Sequence, residues 1–400
     1  MPNVRLKFDA AVVGAGPAGL TAARVLAEHG HEVLILDRRR EVGVPVQCGG
    51  LIPSPDELRD MFPRARTMWR LADVPKQFVL NKTSHIRLRS PSGQAYDFPF
   101  STNIVDRERF DKHLAQSAVR AGAELRMRSW VRSRTHQNEL DVLTEKGRVT
   151  VSASVVIGAD GPVSIISQSL GNRYSSPARD LSLSLQHHMR NVDVDSRVVE
   201  MLFGGHVAPG GYAWIIPRSH KEANVGFGLR PSLAPKGTSL RRYLKHMVHT
   251  NPATQSRLGA GVVVDSTSAI IPVGGPAKAT VGSNCLLVGD AAGHVMATNG
   301  GGIPTALTGG YLAGRVASEY LMGRTHPRTY ERAWKYEFGP ELETARIALR
   351  LANLVMASDK FTEWGMRLLG SQFIEPVIRC RLPMPSVASR MTVSILGSML

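Results

Sequence analysis

An unbroken apolar run, Ala10 to Val13, predicts a buried strand near the start of the chain. A helical pattern follows from Ala18 to His29 and closes at Gly30, where a helix can end with φ > 0. A second strand, Glu32 to Leu36, ends on Asp37, and short helix and loop are expected over 54–75. From about Gln77 to Phe100 polar and apolar residues alternate (Ile86-Arg87-Leu88-Arg89, then Tyr96-Asp97-Phe98). Pro91-Ser92-Gly93 supplies a turn between them, so an antiparallel insertion begins there. Phe110, Leu114 and Ala118 recur every four residues and predict a helix over 107–121, ended by Gly122. Strands are expected around Leu125, over Leu140–Leu143, over Val149–Val151, and again at Val155–Ile157, which runs into Gly158-Ala159-Asp160-Gly161. Residues 180–270 are strand-rich, with one helix from Leu240 to His249. A third buried strand from Cys285 ends in Gly289-Asp290. Gly300-Gly301-Gly302 then opens a long helix, Ile303 to about Leu321, stopped at Gly323. From Pro340 the pattern is helical, with Ile347, Leu351, Leu354 and Val355 on its apolar positions, and no internal repeat is visible.

At 400 residues the chain exceeds one typical domain, and 43% hydrophobic residues suffice for two joined cores. Lys and Arg number 49 against 33 Asp and Glu, a net charge of +16, which implies an anionic partner. The basic residues are scattered and no RNA or DNA module is recognisable, so nucleic acid is excluded as the partner; a membrane surface, a phosphorylated substrate or an acidic redox protein remains. Three cysteines (Cys48, Cys285, Cys380) at wide spacing make neither a disulfide framework nor a zinc site, in keeping with a reducing cytoplasm. No metal site is expected. No apolar run reaches the roughly 20 residues needed to span a bilayer, so the expectation is a soluble or peripheral protein.

The first strand leads directly into Gly14-Ala15-Gly16-Pro17-Ala18-Gly19, a G-x-G-x-x-G fingerprint between a strand and a helix. Gly14 makes the tight turn, Gly16 lets the backbone approach a pyrophosphate, and Gly19 lets the helix pack on the strand. The helix start, with Ala18 and Gly19, offers free N–H groups to the phosphates. Asp37 stands where a carboxylate accepts hydrogen bonds from a ribose. A second such fingerprint is missing: Gly259-Ala260-Gly261 lacks the third glycine, so electrons must come from a transiently docked nicotinamide or an external carrier.

Three strand-end motifs thus stand in order: the fingerprint, Gly158-Ala159-Asp160-Gly161 and Gly289-Asp290. In this the chain resembles FAD-dependent oxidoreductases of the glutathione-reductase-like class with a p-hydroxybenzoate-hydroxylase-like layout. The resemblance implies an α/β fold, a Rossmann-like FAD-binding domain with an inserted antiparallel-sheet substrate domain and a helical C-terminal tail. The FAD domain would comprise 1–75, 103–170 and 271–345, the β-rich substrate domain 76–102 and 171–270, and the helical region 346–400. It also implies that Asp290, with Gly289, contacts the ribityl chain, that Asp160 and Gly161 lie near the pyrophosphate or nicotinamide path, and that Arg107 and Arg38 are cofactor-proximal. Gly301, Gly302 and Ile303 would aim a helix N-terminus at the N1 and C2-carbonyl side of the flavin, where reduced flavin carries negative charge.

Cys48-Gly49-Gly50 and Gly211-Tyr212-Ala213-Trp214-Ile215-Ile216-Pro217-Arg218 look like the C-x-G and Y-x-W-x-F-P-K signatures of the geranylgeranyl reductase family. That family includes archaeal digeranylgeranylglycerophospholipid reductases and (bacterio)chlorophyll geranylgeranyl reductases. Ile216 replaces the usual Phe and Arg218 the usual Lys; the apolar wall and the positive charge survive. In a strand Tyr212, Trp214 and Ile216 share a face and could bury a prenyl chain. Alkene reduction needs a hydride from the flavin and a proton on the other carbon, which a Cys48 thiol could supply or position for. Cys48, Tyr212 and Trp214 are therefore the catalytic candidates, Cys48 and Gly49 also border the cofactor, and Tyr212, Trp214, Pro217 and Arg218 are expected to bind substrate. Arg218, His220 and Lys221 could hold a phosphate. The expected partners are an isoprenoid lipid, an external donor (ferredoxin or NAD(P)H) and the inner face of the cell membrane. The alternatives are a chlorophyll-type reductase, an aromatic monooxygenase of the same fold, and a non-catalytic isoprenoid-binding flavoprotein.

Overall fold

The structure, a computed structural model, describes residues 4–135, 139–172, 181–356 and 358–381. Its first sheet holds β1 (Val4–Val13), β2 (Val33–Leu36), β6 (Glu124–Arg126), β7 (Trp130–Arg134), β8 (Glu139–Thr144), β9 (Gly147–Gly158) and β15 (Cys285–Leu287), in the order β6-β2-β1-β9-β8-β7 with β15 on β9. β1 runs parallel to both β2 and β9, with Ala10 opposite Val33 and Val155. β9 is one continuous strand where the pattern suggests two. Its first half pairs with β8 and its last residues with β15, so Val156 faces Cys285. Parallel strands buried on both faces need near-continuous apolar sequence, which is what Ala10–Val13, Val33–Leu36 and Val155–Ile157 supply.

The second sheet contains β3 (Leu51–Pro53), β4 (Val79–Arg89), β5 (Ala95–Val105), β10 (Leu181–Arg190), β11 (Val198–Leu202), β12 (Tyr212–Pro217), β13 (Glu222–Leu229) and β14 (Val262–Pro272), in the order β14-β10-β13-β12-β11-β4-β5-β3. Two details add to the expected layout. The sheet is antiparallel except where β4 meets β11, a parallel junction that joins the two inserted pieces. Its edge starts at Leu51, because Ile52 pairs with Asn103 of β5, and not at residue 76.

Helices α1 (Pro17–Glu28), α2 (Pro55–Met61), α3 (Arg66–Leu71), α4 (Arg107–Arg120), α5 (Ile165–Ser169), α6 (Leu240–His249), α7 (Gln255–Leu258), α8 (Ile303–Leu321), α9 (Thr329–Glu337), α10 (Gly339–Val355) and α11 (Asp359–Ile378) surround the sheets. α1 and α8 lie unusually close and parallel, since Gly310 meets Ala18 and Gly314 meets Ala22 one turn on. A Cβ at Gly310 would stand 2.1 Å from the Ala18 carbonyl oxygen. α11 is bent at Gly370, whose φ is +57°. The described helical tail ends near 378, so the rest of the expected helical region, 382–400, lies outside the described residues. Its apolar positions are not all inward: Leu351 and Leu354 are each 55% exposed.

Candidate active site

Three strand ends meet at the C-terminal edge of β1, β9 and β15. Gly14 ends β1 with φ +109°, and a Cβ on it would lie 2.1 Å from the Ala159 carbonyl oxygen. A Cβ on Gly19 would lie 2.0 Å from the Gly14 carbonyl oxygen, so helix and strand touch there as the fingerprint requires. Gly16 faces open space, with nothing within 4 Å of where a Cβ would stand. The α1 N-terminus beside it has no side-chain cap and no acidic residue in its first turn. Its N–H groups, at Ala18 and Gly19 among others, are thus left for an external acceptor. Gly289 closes the ring, 3.1 Å from the Ala18 Cβ if it carried its own.

Asp37 is buried at the end of β2. Its Oδ2 accepts from the Ala15 N–H at 2.7 Å, and Arg39 reaches both oxygens with Nε at 3.0 Å and a terminal nitrogen at 2.8 Å. Burial alone would raise this carboxyl, but the Arg39 hydrogen bonds and charge outweigh it and hold it below the usual range. Arg39 therefore occupies the place expected of Arg38, whose side chain is exposed. Adjacent residues at a strand end point opposite ways, and sequence alone does not settle which arginine turns inward.

Asp160 stands beside the Gly14 turn, 3.1 Å from where a Gly14 Cβ would lie. Its carboxylate accepts from the Ser164 hydroxyl at 2.5 Å and the Ile165 and Ile166 N–H groups at 2.8 and 3.2 Å, anchoring the start of α5. Burial nevertheless outweighs these bonds and raises its pKa. Gly161, with φ +82°, faces open space beside it.

Asp290 has no hydrogen-bond donor on its carboxylate among the described residues. Burial raises its pKa to about 6, with the nearby Arg107 pulling the other way. Gly302 stands against it, 3.6 Å from Asp290 Oδ1 if it bore a Cβ. Gly302 caps α8 without any side-chain bond, and Pro304 lies in the first turn. N–H groups at Gly302 and Ile303 therefore lack a partner within the helix, while the Gly301 N–H is spent on Asn299 Oδ1 at 2.8 Å.

Arg107 opens α4 and makes a two-pronged pair with buried Asp111 at 3.0 and 2.9 Å. Burial works against its charge, but Asp111 and the adjacent Cys48 hold it well above the ordinary value. Cys48 lies near that guanidinium, and its Sγ accepts from the Gly50 N–H at 3.4 Å. The residue between them is tied to the second sheet, since a Cβ on Gly49 would lie 2.5 Å from Ile216 Cδ1. The two family signatures thus touch each other.

Tyr212, Trp214 and Ile216 share one face of β12, as expected. Tyr212 and Trp214 meet edge to face with ring centroids 6.0 Å apart. The Tyr212 hydroxyl donates to the Asn299 carbonyl at 2.5 Å, and the Trp214 indole N–H donates to Asn224 Oδ1 at 2.7 Å. Burial raises the Tyr212 pKa far out of the physiological range. Gly226 makes room for the indole; a Cβ there would fall 2.6 Å from the ring. Sequence reasoning misses Gly226, Asn224, Asn299 and Arg39, although glycine inside an apolar strand is a signal of close approach. Pro217 and Arg218 lie at the far end of β12. There the Pro217 carbonyl accepts from Asn81 at 2.9 Å and Arg218 pairs loosely with Glu222, so neither lines the space beside Tyr212.

That space is a groove with about 1150 Å³ of empty volume, open to solvent. Tyr212, Trp214 and Phe203 form its sheet side, Gly300 one end, and Leu349, Met366 and Ile378 of α10 and α11 its helical side.

These residues fit FAD: a glycine cradle with room at Gly16, an unsatisfied carboxylate at Asp290, and two uncapped helix starts. Residues 7–333 match the FAD binding domain family, and FAD is the cofactor. The chain is 32% identical to digeranylgeranylglycerophospholipid reductase 2 of Methanopyrus kandleri over 366 residues, 87% of each protein. It is 32% identical to the digeranylgeranylglycerophospholipid reductase of Methanocaldococcus jannaschii over 345 residues, 83% of this chain and 84% of that one. A crystal structure of a geranylgeranyl bacteriochlorophyll reductase-like protein from Thermoplasma acidophilum superimposes with a TM-score of 0.78 at 25% identity, covering 97% of this chain and 96% of that one. A flavin-dependent brominase at 16% identity, TM-score 0.70, shares the fold alone. Both the flavin cradle and the β12 wall lie within these matches, and the chain belongs to the geranylgeranyl reductase family of FAD-dependent oxidoreductases.

Proposed function

We propose that this protein saturates C=C bonds of geranylgeranyl chains in archaeal ether phospholipid precursors. The observation that carries this reading is the apolar groove whose Tyr212–Trp214 wall ends at Gly300, beside the uncapped start of α8. FAD would be held by Gly14–Gly19, Asp290 and the α8 N-terminus, and in its reduced form would supply a hydride.

An isolated alkene offers no oxygen to polarise, so the protein's tasks are to exclude water, align the double bond and deliver a proton. Of the three catalytic candidates, the Tyr212 hydroxyl and the Trp214 N–H already donate to protein oxygens, to Asn299 and Asn224. These two hold the prenyl chain. Cys48 accepts one bond from the Gly50 N–H and lies near Arg107, which positions the proton of its thiol. In this reading that proton passes to the second alkene carbon, the thiolate left behind is steadied by Arg107, and solvent restores the thiol. Tyr212, held to Asn299 next to Gly300, fixes the wall against the cofactor-side turn.

The finer partners belong to the same reading. Electrons come from an external carrier, a ferredoxin or a reduced nicotinamide, because the chain has one nucleotide fingerprint. No helix among the described residues is long and apolar enough to cross a membrane. Yet α10 and α11 line the groove on one side and on the other show Leu351, Leu354, Phe361, Trp364 and Leu368, each more than half exposed, among charged residues such as Arg350 and Lys360. Those outer faces, on a protein of net charge +16, rest on an anionic membrane surface and open the groove to its lipid. The deciding experiment is anaerobic incubation of dithionite-reduced protein with geranylgeranylated ether lipid, followed by mass spectrometry. Products heavier by two hydrogens per double bond are expected; unchanged lipid with reduced flavin persisting refutes the reading.

A further inference from the structure

Arg230 follows β13 directly and is 4% exposed. Its Nε donates to the Gly210 carbonyl at 2.6 Å and its backbone N–H to the Pro209 carbonyl at 3.2 Å, which pins the side chain across the 204–211 turn. Its Nη2 is buried and has no hydrogen-bond partner. No carboxylate among the described residues pairs with it. Other sequestered arginines here are matched: Arg107 by Asp111, Arg89 and Arg257 by Glu200, Arg379 by Glu57 and Glu375. An unmatched buried guanidinium is costly, and burial alone pulls the Arg230 pKa down to about 10. A residue so placed is retained when something else supplies the anion.

The same side chain lines the apolar groove, where it is the sole charged residue among the described lining residues. The groove therefore combines a single cation with an aromatic and aliphatic wall, the lining that an amphiphile with an anionic head and a hydrocarbon chain would fill.

We propose that Arg230 binds the phosphate of a prenylated lipid whose chain lies along the Tyr212–Trp214 wall of the groove. This role replaces the one expected of Arg218, which sits at the opposite end of β12. That the occupant carries a prenyl chain rests on the reductase reading; that it carries an anion rests on Arg230 itself.

The test uses the FAD-loaded full-length protein and two probes that share a chain, geranylgeranyl monophosphate and neutral geranylgeraniol, with inorganic phosphate as a third. Binding is read from flavin fluorescence and from Tm, so no turnover is needed. Arg230→Met should weaken the monophosphate about ten- to hundredfold, the worth of a hydrogen bond to a charged group, and leave the alcohol unchanged. Arg230→Lys, which keeps the charge and the fold while losing the planar fork, should lose part of that factor on the monophosphate only. Equal weakening of both probes, or of neither, overturns the proposal. Tight binding of inorganic phosphate alone, lost in Arg230→Met, assigns the site to free phosphate and overturns the lipid head group. Asp180, the only acidic residue in 173–180, is the control. If Asp180→Asn lowers Tm and itself strengthens phosphate binding, the guanidinium was already paired and the proposal fails. Because this test reads binding alone, a protein that discriminates the two probes but leaves geranylgeranylated ether lipid unreduced in the anaerobic assay sinks the reductase reading and leaves Arg230 standing.

Discussion

Asp290→Asn should make the FAD-free protein more stable and the FAD complex weaker. The carboxylate is raised from an ordinary 3.8 to about 6 by burial, with no donor among the described residues to compensate. Below pH 4 folded and unfolded chains are both protonated there, so the group costs nothing. Between 4 and 6 the unfolded chain releases the proton while the folded chain keeps it. The unfolded state then binds fewer protons, and folded stability falls as pH rises. Above pH 6 the whole cost is present, about 3 kcal/mol from the difference in pKa and nearer 2 because water reaches part of the cleft. Asparagine removes the charge at constant shape. Unfolding of the FAD-free variant at pH 8 should therefore show about 2–3 kcal/mol of added stability, vanishing at pH 4. FAD titration should show a loss of about ten- to hundredfold, since the charged acceptor for the ribityl hydroxyls becomes a neutral amide with one accepting oxygen. A variant no more stable at pH 8, equally stabilised at pH 4, or unchanged in FAD affinity refutes the assignment of Asp290 to the cofactor.

Replacing Cys48 by Ala should cut the turnover of a prenyl substrate by about 10²–10⁴ while the FAD content stays full; undiminished turnover removes the thiol from the reaction. In Trp214→Leu, KM should rise more for geranylgeranyl than for geranyl substrates, and equal effects would count against a chain-binding wall. Gly14→Ala meets the Ala159 carbonyl at 2.1 Å from a backbone at φ +109°, so purified variant should be colourless; a yellow, stable variant would contradict the convergence of strand ends. Phe361→Glu with Trp364→Glu should abolish flotation with anionic liposomes at low salt and spare FAD binding. If the double variant floats like the parent, the outer faces of α10 and α11 are not the contact.

Much of this protein is written locally in its chain. Gly14 and Gly19 are demanded by backbone geometry within a few residues, Ala10–Val13 and Val155–Ile157 by burial on both faces, and Gly30 and Gly323 by helix endings with positive φ. The alternation of Tyr212, Trp214 and Ile216 follows from strand pleat alone. These features depend on nothing that lies across the sheet, so the nucleotide cradle and the aromatic wall are legible in the order of residues itself.

What the tertiary structure decided are the partnerships between distant segments, because register and helix orientation choose them. Asp37 takes Arg39 and leaves Arg38 outside; Asp160 anchors α5. Gly49 reaches Ile216 only because the Cys48 loop passes beneath β12, while β3 joins the second sheet through Asn103. Arg230 looks in sequence like any exposed cation after a strand, and becomes distinctive only when α10 and α11 close the groove over it without bringing a carboxylate. Likewise an apolar pattern predicts that a helix side is buried, but what α10 covers with Leu349 and leaves bare at Leu351 is fixed by packing angle, a property of the assembled molecule and not of the helix.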